Sequence, residues 1–122
     1  MTISIVTGGA GFIGSHIVEK LKQLDHMVVV IDNEYSDNDN FHWRKDTLNV
    51  DLDITDYKGL KKAFTGADYV FHLAAEARIG PAIENPVNAL NINTIGTCNV
   101  LQCAREVGAK KVLYSSTSSG YG

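Results

Sequence analysis

The chain has 122 residues, 44% of them hydrophobic, and a net charge of −3. That length fits one domain with a modest core, and the mild acidity argues against nucleic acid or an anionic membrane as the main partner. No apolar run approaches membrane-spanning length, and a strand at the very N-terminus, in place of an apolar leader, points to a cytoplasmic protein.

Ile3-Ser4-Ile5-Val6 reads as a short buried strand, followed by Thr7-Gly8-Gly9-Ala10-Gly11-Phe12-Ile13-Gly14. Ser15 to Leu24 then reads as a helix, with Ile13, Ile17, Leu21 and Leu24 at helical spacing. Strand, glycine turn and helix form the context of a dinucleotide fingerprint. Gly9, Gly11 and Gly14 fit G-x-G-x-x-G, and Gly8, Gly11 and Gly14 fit G-x-x-G-x-x-G. The first glycine allows the tight turn, the middle one lets backbone approach a pyrophosphate, and the last lets the helix pack close to the sheet. The helix N-terminus offers unpaired N–H groups and partial positive charge to the phosphates.

Met27-Val28-Val29-Val30-Ile31 is a continuous apolar run and reads as a second buried parallel strand. It ends at Asp32, 18 residues past Gly14, near the offset of the carboxylate that accepts hydrogen bonds from the adenosine ribose. A carboxylate there repels a 2′-phosphate, so NAD is expected over NADP. Asn33 to Asp46 reads as a polar surface loop whose opening residues fold over the adenosine; Phe41, Trp43 and Arg44 receive no role. Thr47 to Asp51 is a third strand, leading into Leu52-Asp53-Ile54. Asp56 caps the next helix, with Leu60, Ala63 and Phe64 inward and a stop near Gly66.

Asp68 to Leu73 reads as a fourth strand, and the small Ala74-Ala75 lets a loop backbone lie close to a ligand. His72, on a buried strand, reads as a hydrogen-bonded core histidine. A long helix starts at Asn85 or Asn88, runs to Val107 and stops at Gly108, with Leu90, Leu101 and Ala104 on or near one face. Cys98 and Cys103, five apart and on different faces, read as small buried apolar residues, not as a disulfide or a metal pair. Lys111 to Ser115 is a fifth strand, ending in the hydroxyl-rich Ser115-Ser116-Thr117-Ser118-Ser119-Gly120-Tyr121-Gly122. This alternation predicts an α/β fold: a doubly wound parallel sheet of about five strands, order 3-2-1-4-5, with helices on both faces. Ligands belong at the carboxyl ends of its strands, between strands 1 and 4. The glycine turn, Asp32, Ala74-Ala75 and Ser115 to Thr117 all fall at those ends.

Thr7-Gly8-Gly9-Ala10-Gly11-Phe12-Ile13-Gly14-Ser15-His16, Asp32-Asn33, Asp53-Ile54, Phe71-His72-Leu73-Ala74-Ala75, Asn93-x-x-Gly96-Thr97 and Ser115-Ser116-Thr117…Tyr121-Gly122 together resemble an extended short-chain dehydrogenase/reductase. Within it the chain is most similar to the nucleotide-sugar epimerases and dehydratases, especially the UDP-hexose 4-epimerases. The resemblance implies a Rossmann-like domain holding NAD, truncated before the substrate domain. It places the pyrophosphate on the backbone of Phe12 and Ile13, the adenosine ribose on Asp32 and Asn33, and the adenine near Asp53 and Ile54. It sets Leu73, Ala74 and Ala75 on the nicotinamide side, Asn93 near the cofactor, and Ser115 with the cofactor-facing strand end. Thr117 matches the hydroxyl that hydrogen-bonds the sugar hydroxyl being oxidised, a role that suits a neutral group.

The family base, a Tyr in Tyr-x-x-x-Lys, follows the hydroxyl segment by a couple of dozen residues, and the sequence stops before it. Tyr57 to Lys61 has the spacing but opens the helix after strand 3, and reads as a chance match on a solvated helix. Ala77 stands where relatives carry a polar or basic cofactor contact, and Ile92 where a polar neighbour of Asn93 sometimes sits. The expected function is therefore the NAD-binding half of a UDP-hexose 4-epimerase, completed by a second polypeptide that brings Tyr, Lys and the sugar domain. The alternatives are a non-catalytic NAD module, the corresponding half of a dehydratase or decarboxylase, or a fragment with no independent role. The uncovered fifth-strand edge and long helix predict a homo-oligomer or an obligate partner.

Overall fold

The structure, a computed structural model, describes residues 1–35, 40–76 and 78–117. Ser36 to Asp39 of the polar loop, Ala77, and Ser118 to Gly122 lie outside the described residues. Five parallel strands form the sheet: β1 (Ile3–Thr7), β2 (Met27–Asp32), β3 (Leu48–Asp51), β4 (Tyr69–His72) and β5 (Lys111–Tyr114). Their order is β3-β2-β1-β4-β5, as the alternating pattern predicts. The central register pairs Thr7 with Ile31 on one side and with His72 on the other. This aligns the carboxyl ends of β1, β2 and β4.

Successive side chains of a strand point to opposite faces, and here both faces are covered. Val6, Val28 and Val30 face α1 (Phe12–Gln23) and pack with its Val18 and Leu21. Ile5, Val29, Ile31 and Val70 face the other way, onto Leu60 and Phe64 of the α2 (Tyr57–Ala63) segment and onto Val100, Cys103 and Ala104. Two buried faces are why the β2 sequence is apolar without alternation. Asp56 caps α2 by accepting from Gly59 N at 3.1 Å, as its position predicts.

Three helical readings need correction. α1 starts at Phe12, and its buried residues are Gly14, Val18 and Leu21. Ile13 and Leu24, expected inward, are 62% and 56% exposed, because the close approach of Gly14 fixes the contact stripe one residue along. The long helix is preceded by α3 (Ile79–Glu84), then runs as α4 (Pro86–Leu90), a π-helical stretch (Asn91–Gly96) and α5 (Thr97–Glu106). A π stretch adds residues per turn and breaks the 3.6-residue phase. Ile92, Gly96, Val100, Cys103 and Ala104 therefore face the sheet, while Leu90 and Leu101 face outward. Cys98 is exposed with them; only Cys103 is the buried apolar thiol expected, and both thiols are free.

Candidate dinucleotide-binding site

The chain leaves β1 through a turn that only glycine permits at position 8. Gly8 has φ +69°, in the left-handed region, and a Cβ there would lie 2.9 Å from Ala74 N. Gly8 N donates to Ile31 O at 2.7 Å, and Gly11 N donates to Gly8 O at 3.2 Å, which pins the turn against β2. A Cβ on Gly14 would sit 2.2 Å from Gly8 O, so the first turn of α1 lies directly on this loop. Gly11 differs: its missing Cβ would meet only Gly8 O, at 3.4 Å, and the residue lines the cavity. It also has no side chain with which to cap α1, so the first helical N–H groups are left for an acceptor outside the helix.

That cavity, of about 160 Å³, lies at the carboxyl ends of the strands. Gly8 and Gly11 form its floor. One wall is Asp32, Asn33, Leu52, Asp53 and Ile54; the other is Leu73, Ala74, Ala75 and Ile92. Nine residues predicted from sequence are thus brought together: Gly8, Gly11, Asp32, Asn33, Asp53, Ile54, Leu73, Ala74 and Ala75. A larger hollow of about 660 Å³, lined by Tyr57, Lys58, Lys61, Lys62 and Val107, contains none of them and is open surface between α2 and the end of α5.

Asp32 faces the cavity. Its Oδ2 accepts from Ala10 N at 3.1 Å and its Oδ1 from Glu34 N at 2.8 Å. Burial raises its pKa above the usual carboxylate value, against the lowering pull of those two N–H groups. Each oxygen keeps a lone pair for a hydroxyl donor. Asp53 turns Oδ1 to Thr55, accepting from its N at 2.9 Å and its Oγ1 at 2.8 Å, which leaves Oδ2 beside Asn33.

The opposite wall is braced by a buried chain of side chains. Thr7 Oγ1 accepts from Leu73 N at 3.1 Å and Ala74 N at 3.2 Å, so its single proton goes to His72 Nδ1, 2.6 Å away. His72 then carries its proton on Nε2 and donates it to Thr97 Oγ1 at 2.9 Å. Burial pushes the His72 pKa down to about 4, consistent with a neutral ring. His72 is thus the hydrogen-bonded core histidine expected.

Several predicted residues stand elsewhere. Phe12 and Ile13 present exposed side chains at the start of α1 and reach the site only through backbone. Asn93 does not line the cavity: its Oδ1 accepts from Glu76 N at 2.7 Å and its Nδ2 donates to Glu76 O at 3.0 Å. In the Asn93-x-x-Gly96-Thr97 pattern, Asn93 clamps the loop after β4, Gly96 makes room for Ile54, and Thr97 holds His72. Ser115 extends the β5 ladder, its N donating to His72 O at 3.2 Å; Thr117 lies exposed two residues beyond, outside the cavity lining. Tyr57, the false Tyr-x-x-x-Lys, gives its hydroxyl to Glu106, which also pairs with Lys61 at 3.1 Å. That carboxylate pushes the Tyr57 pKa up to about 12, the wrong direction for a base.

Sequence reasoning missed Ile31, Tyr35, Phe41, Leu52 and Ile92 as lining residues. Leu52 and Ile92 adjoin predicted positions, whereas Tyr35 and Phe41 come from an irregular loop with no periodic signal. That loop lies along the glycine turn: His42 N donates to Ala10 O at 2.7 Å, and Trp43 packs on the Val6–Val18 cluster. No helix among the described residues is long and apolar enough to cross a membrane.

A model of the NAD dependent epimerase/dehydratase family matches residues 4–122. The chain is 38% identical over 121 residues to a UDP-N-acetyl-alpha-D-glucosaminuronate decarboxylase of Bacillus cytotoxicus, covering 97% of this chain and 37% of that one. Among solved structures, UDP-glucose 4-epimerase of Thermotoga maritima, with UDP-glucose, superposes with a TM-score of 0.91 at 35% identity, over 99% of this chain and 40% of that one. The Thermus thermophilus UDP-glucose 4-epimerase complex with NAD gives 0.85 at 35% identity, over 95% and 38%. The chain thus spans about 37–40% of the proteins it resembles.

Proposed function

The chain belongs to the NAD dependent epimerase/dehydratase family, and on that premise we propose that it is the NAD-binding half of a nucleotide-sugar epimerase. The carrying observation is the Asp32 carboxylate facing a cavity floored by Gly8 and Gly11, where a backbone without Cβ atoms leaves room for a pyrophosphate. When bound, NAD supplies a hydride acceptor that is restored at the end of the cycle. Asp32 and Asn33 hold the adenosine ribose, and Asp53 and Ile54 the adenine. The first-turn N–H groups at Phe12, Ile13 and Gly14 take the pyrophosphate, and Leu73, Ala74 and Ala75 line the nicotinamide side. Asn93 and Ser115 act behind the wall, Asn93 by fixing the Glu76 backbone and Ser115 by extending the strand beside His72. Thr117 offers the sugar a neutral hydroxyl. The overall reaction is inversion at C4 of a UDP-hexose through a 4-keto sugar, and the catalytic Tyr-x-x-x-Lys base and the sugar domain that it also needs are not among residues 1–122.

Two other readings have support. Identity to the Bacillus decarboxylase favours the corresponding half of a nucleotide-sugar decarboxylase or dehydratase. The engagement of Tyr57 and Lys61 with Glu106 favours a chain that alone binds NAD without turnover. A cytoplasmic site of action accords with two free thiols. Exposed Ile83, Val87, Leu90, Ile95 and Leu101, together with Leu113 and Tyr114 on β5, support association with a second copy or with a partner polypeptide. A monodisperse monomer in solution scattering at high concentration would overturn that association.

Calorimetry with NAD against NADP tests the cofactor, and binding of neither removes the whole reading. Adding a matching carboxyl-terminal half and following UDP-glucose to UDP-galactose tests the reaction. Association without turnover would leave the non-catalytic module.

A further inference from the structure

The two walls of the cavity are joined across its mouth by one side chain. Tyr35 lines the cavity from the Asp32 side, yet its contacts lie beyond the opposite wall, on Arg78 after β4 and Asn88 of α4. The Arg78 guanidinium sits over its ring, 5.2 Å from the centroid. Asn88 Nδ2, on α4, donates to its hydroxyl at 2.7 Å, and the nearby Glu76 carboxylate raises the pKa of that hydroxyl. Glu76 is itself buried, paired with Arg78 at 3.0 Å and clamped through its backbone by Asn93. The anchor is therefore tied by an ion pair and two backbone hydrogen bonds.

The segment that delivers Tyr35 is equally constrained. Asp32 Oδ1 accepts from Glu34 N at 2.8 Å, and Asn33 Oδ1 accepts from Tyr35 N at 3.2 Å. Between them Glu34 takes φ +56°, a left-handed conformation that a residue with a side chain adopts only when its surroundings enforce it. Trp43 Nε1 donates to the side chain of the same residue, Glu34 Oε1, at 2.6 Å. Two side-chain turns, one left-handed residue and a tryptophan thus aim one tyrosine across the opening.

We infer that Tyr35 is a strap: its bridge to Arg78 and Asn88 must open for a dinucleotide to enter or leave, so it sets the exchange rate more than the affinity. This rests on the dinucleotide reading of the cavity. A residue that only touched bound ligand would change the dissociation rate alone, whereas a strap changes both rates in the same direction.

The test is stopped-flow binding of NADH, read by its own fluorescence, to the full chain and its variants. Asn88→Ala removes one donor from an exposed helix and leaves the pocket lining intact. It should raise association and dissociation together, by about threefold to tenfold for one hydrogen bond, with Kd within about threefold of the parent. Tyr35→Ala should raise both by more than about tenfold. A faster dissociation with unchanged association, or no change in either rate, overturns the strap. If the parent chain binds no NADH, the dinucleotide reading fails by itself, and the bridge is judged by acrylamide quenching of Trp43, the sole tryptophan. Quenching should increase in Asn88→Ala and Tyr35→Ala, and unchanged quenching overturns the bridge.

Discussion

Gly14 and Gly11 lie in one motif three residues apart, yet alanine should fail at them for different reasons. At Gly14 a Cβ would lie 2.2 Å from Gly8 O, 2.8 Å from Gly9 Cα and 2.9 Å from Gly8 C, all backbone atoms. No rotamer change can relieve those contacts. The turn would have to move, against the 2.7 Å bond from Gly8 N to Ile31 O and the 3.2 Å bond from Gly11 N to Gly8 O. Alanine gains about 1 kcal/mol in helix propensity at this position. Overpacking costs about 1–3 kcal/mol, and disturbing the two hydrogen bonds about 1 kcal/mol each. The net loss is about 3 kcal/mol, a large share of the ~5–15 kcal/mol that holds such a domain. Gly14→Ala should therefore lower Tm by roughly 10 °C, read by circular dichroism. At Gly11 the added Cβ meets only one atom, at 3.4 Å, and the backbone is extended, with φ −75°. Gly11→Ala should keep its Tm and lose NAD affinity by about tenfold or more, because the methyl enters the cavity. A Gly14→Ala protein within about 2 °C of the parent Tm would refute the reasoning, since the turn would then be free to shift.

His72 is neutral in the fold with its pKa near 4, against 6.5 for the free ring, so the unfolded chain takes up a proton between those values that the native chain refuses. Its contribution of ~3 kcal/mol is present above pH 6.5 and lost as pH falls toward 4; denaturation across that window should show the slope, and His72→Gln should flatten it. Asp32→Ala removes the acceptor beside Ala10 N and should weaken NAD about 10- to 100-fold while narrowing its preference over NADP, both by calorimetry. Tyr57, held near pKa 12 by Glu106, should resist ionisation in an alkaline absorbance titration, and Glu106→Gln should bring it back toward the ordinary range. Tyr57→Phe should leave NAD binding unchanged.

The parts of the site that could be read from sequence are those where spacing along the chain determines position in space. Gly8 to Gly14 and Asp32 are carried on β1, α1 and β2, whose in-register pairing brings residue 32 back to the turn. Asp53-Ile54 and Leu73 to Ala75 follow directly from strand ends, so identifying the strand places them. The order β3-β2-β1-β4-β5 follows from short parallel crossovers with one hand. Legibility stopped where position depends on contacts without local period. Tyr35 is held by the Asn33 side chain and Phe41 lies near Trp43 in sequence, and no hydropathy pattern marks either position. Ile92 lines the cavity and Asn93 does not, a one-residue distinction inside a π stretch that helical counting cannot resolve. Leu90 and Leu101 look like core residues by spacing and are surface residues for the same reason.

The π stretch also explains how one helix can brace two places at once. Asn93 must reach the backbone of Glu76 while Thr97 reaches His72 and Asn99 Nδ2 reaches Ile54 O at 3.1 Å. These three anchors hold the loop after β4, the end of β4 and the residue after Asp53, which are parts of both cavity walls. In an uninterrupted α-helix residues advance 100° each, so removing one residue rotates everything before it by that angle relative to everything after. Deleting Thr94, an exposed residue of the stretch, should therefore keep Thr97 and Asn99 in place and swing Asn93 off Glu76. Two hydrogen bonds to the Glu76 backbone would be lost, at about 1–3 kcal/mol together. The expected result is faster hydrogen exchange at the Glu76 amide, a lower Tm and weaker NAD binding, because Ile92 of the cavity lining swings together with Asn93. Glu76 amide protection that survives the deletion would mean that Asn93 is not what holds this wall, and that the wider turn has no part in shaping the site.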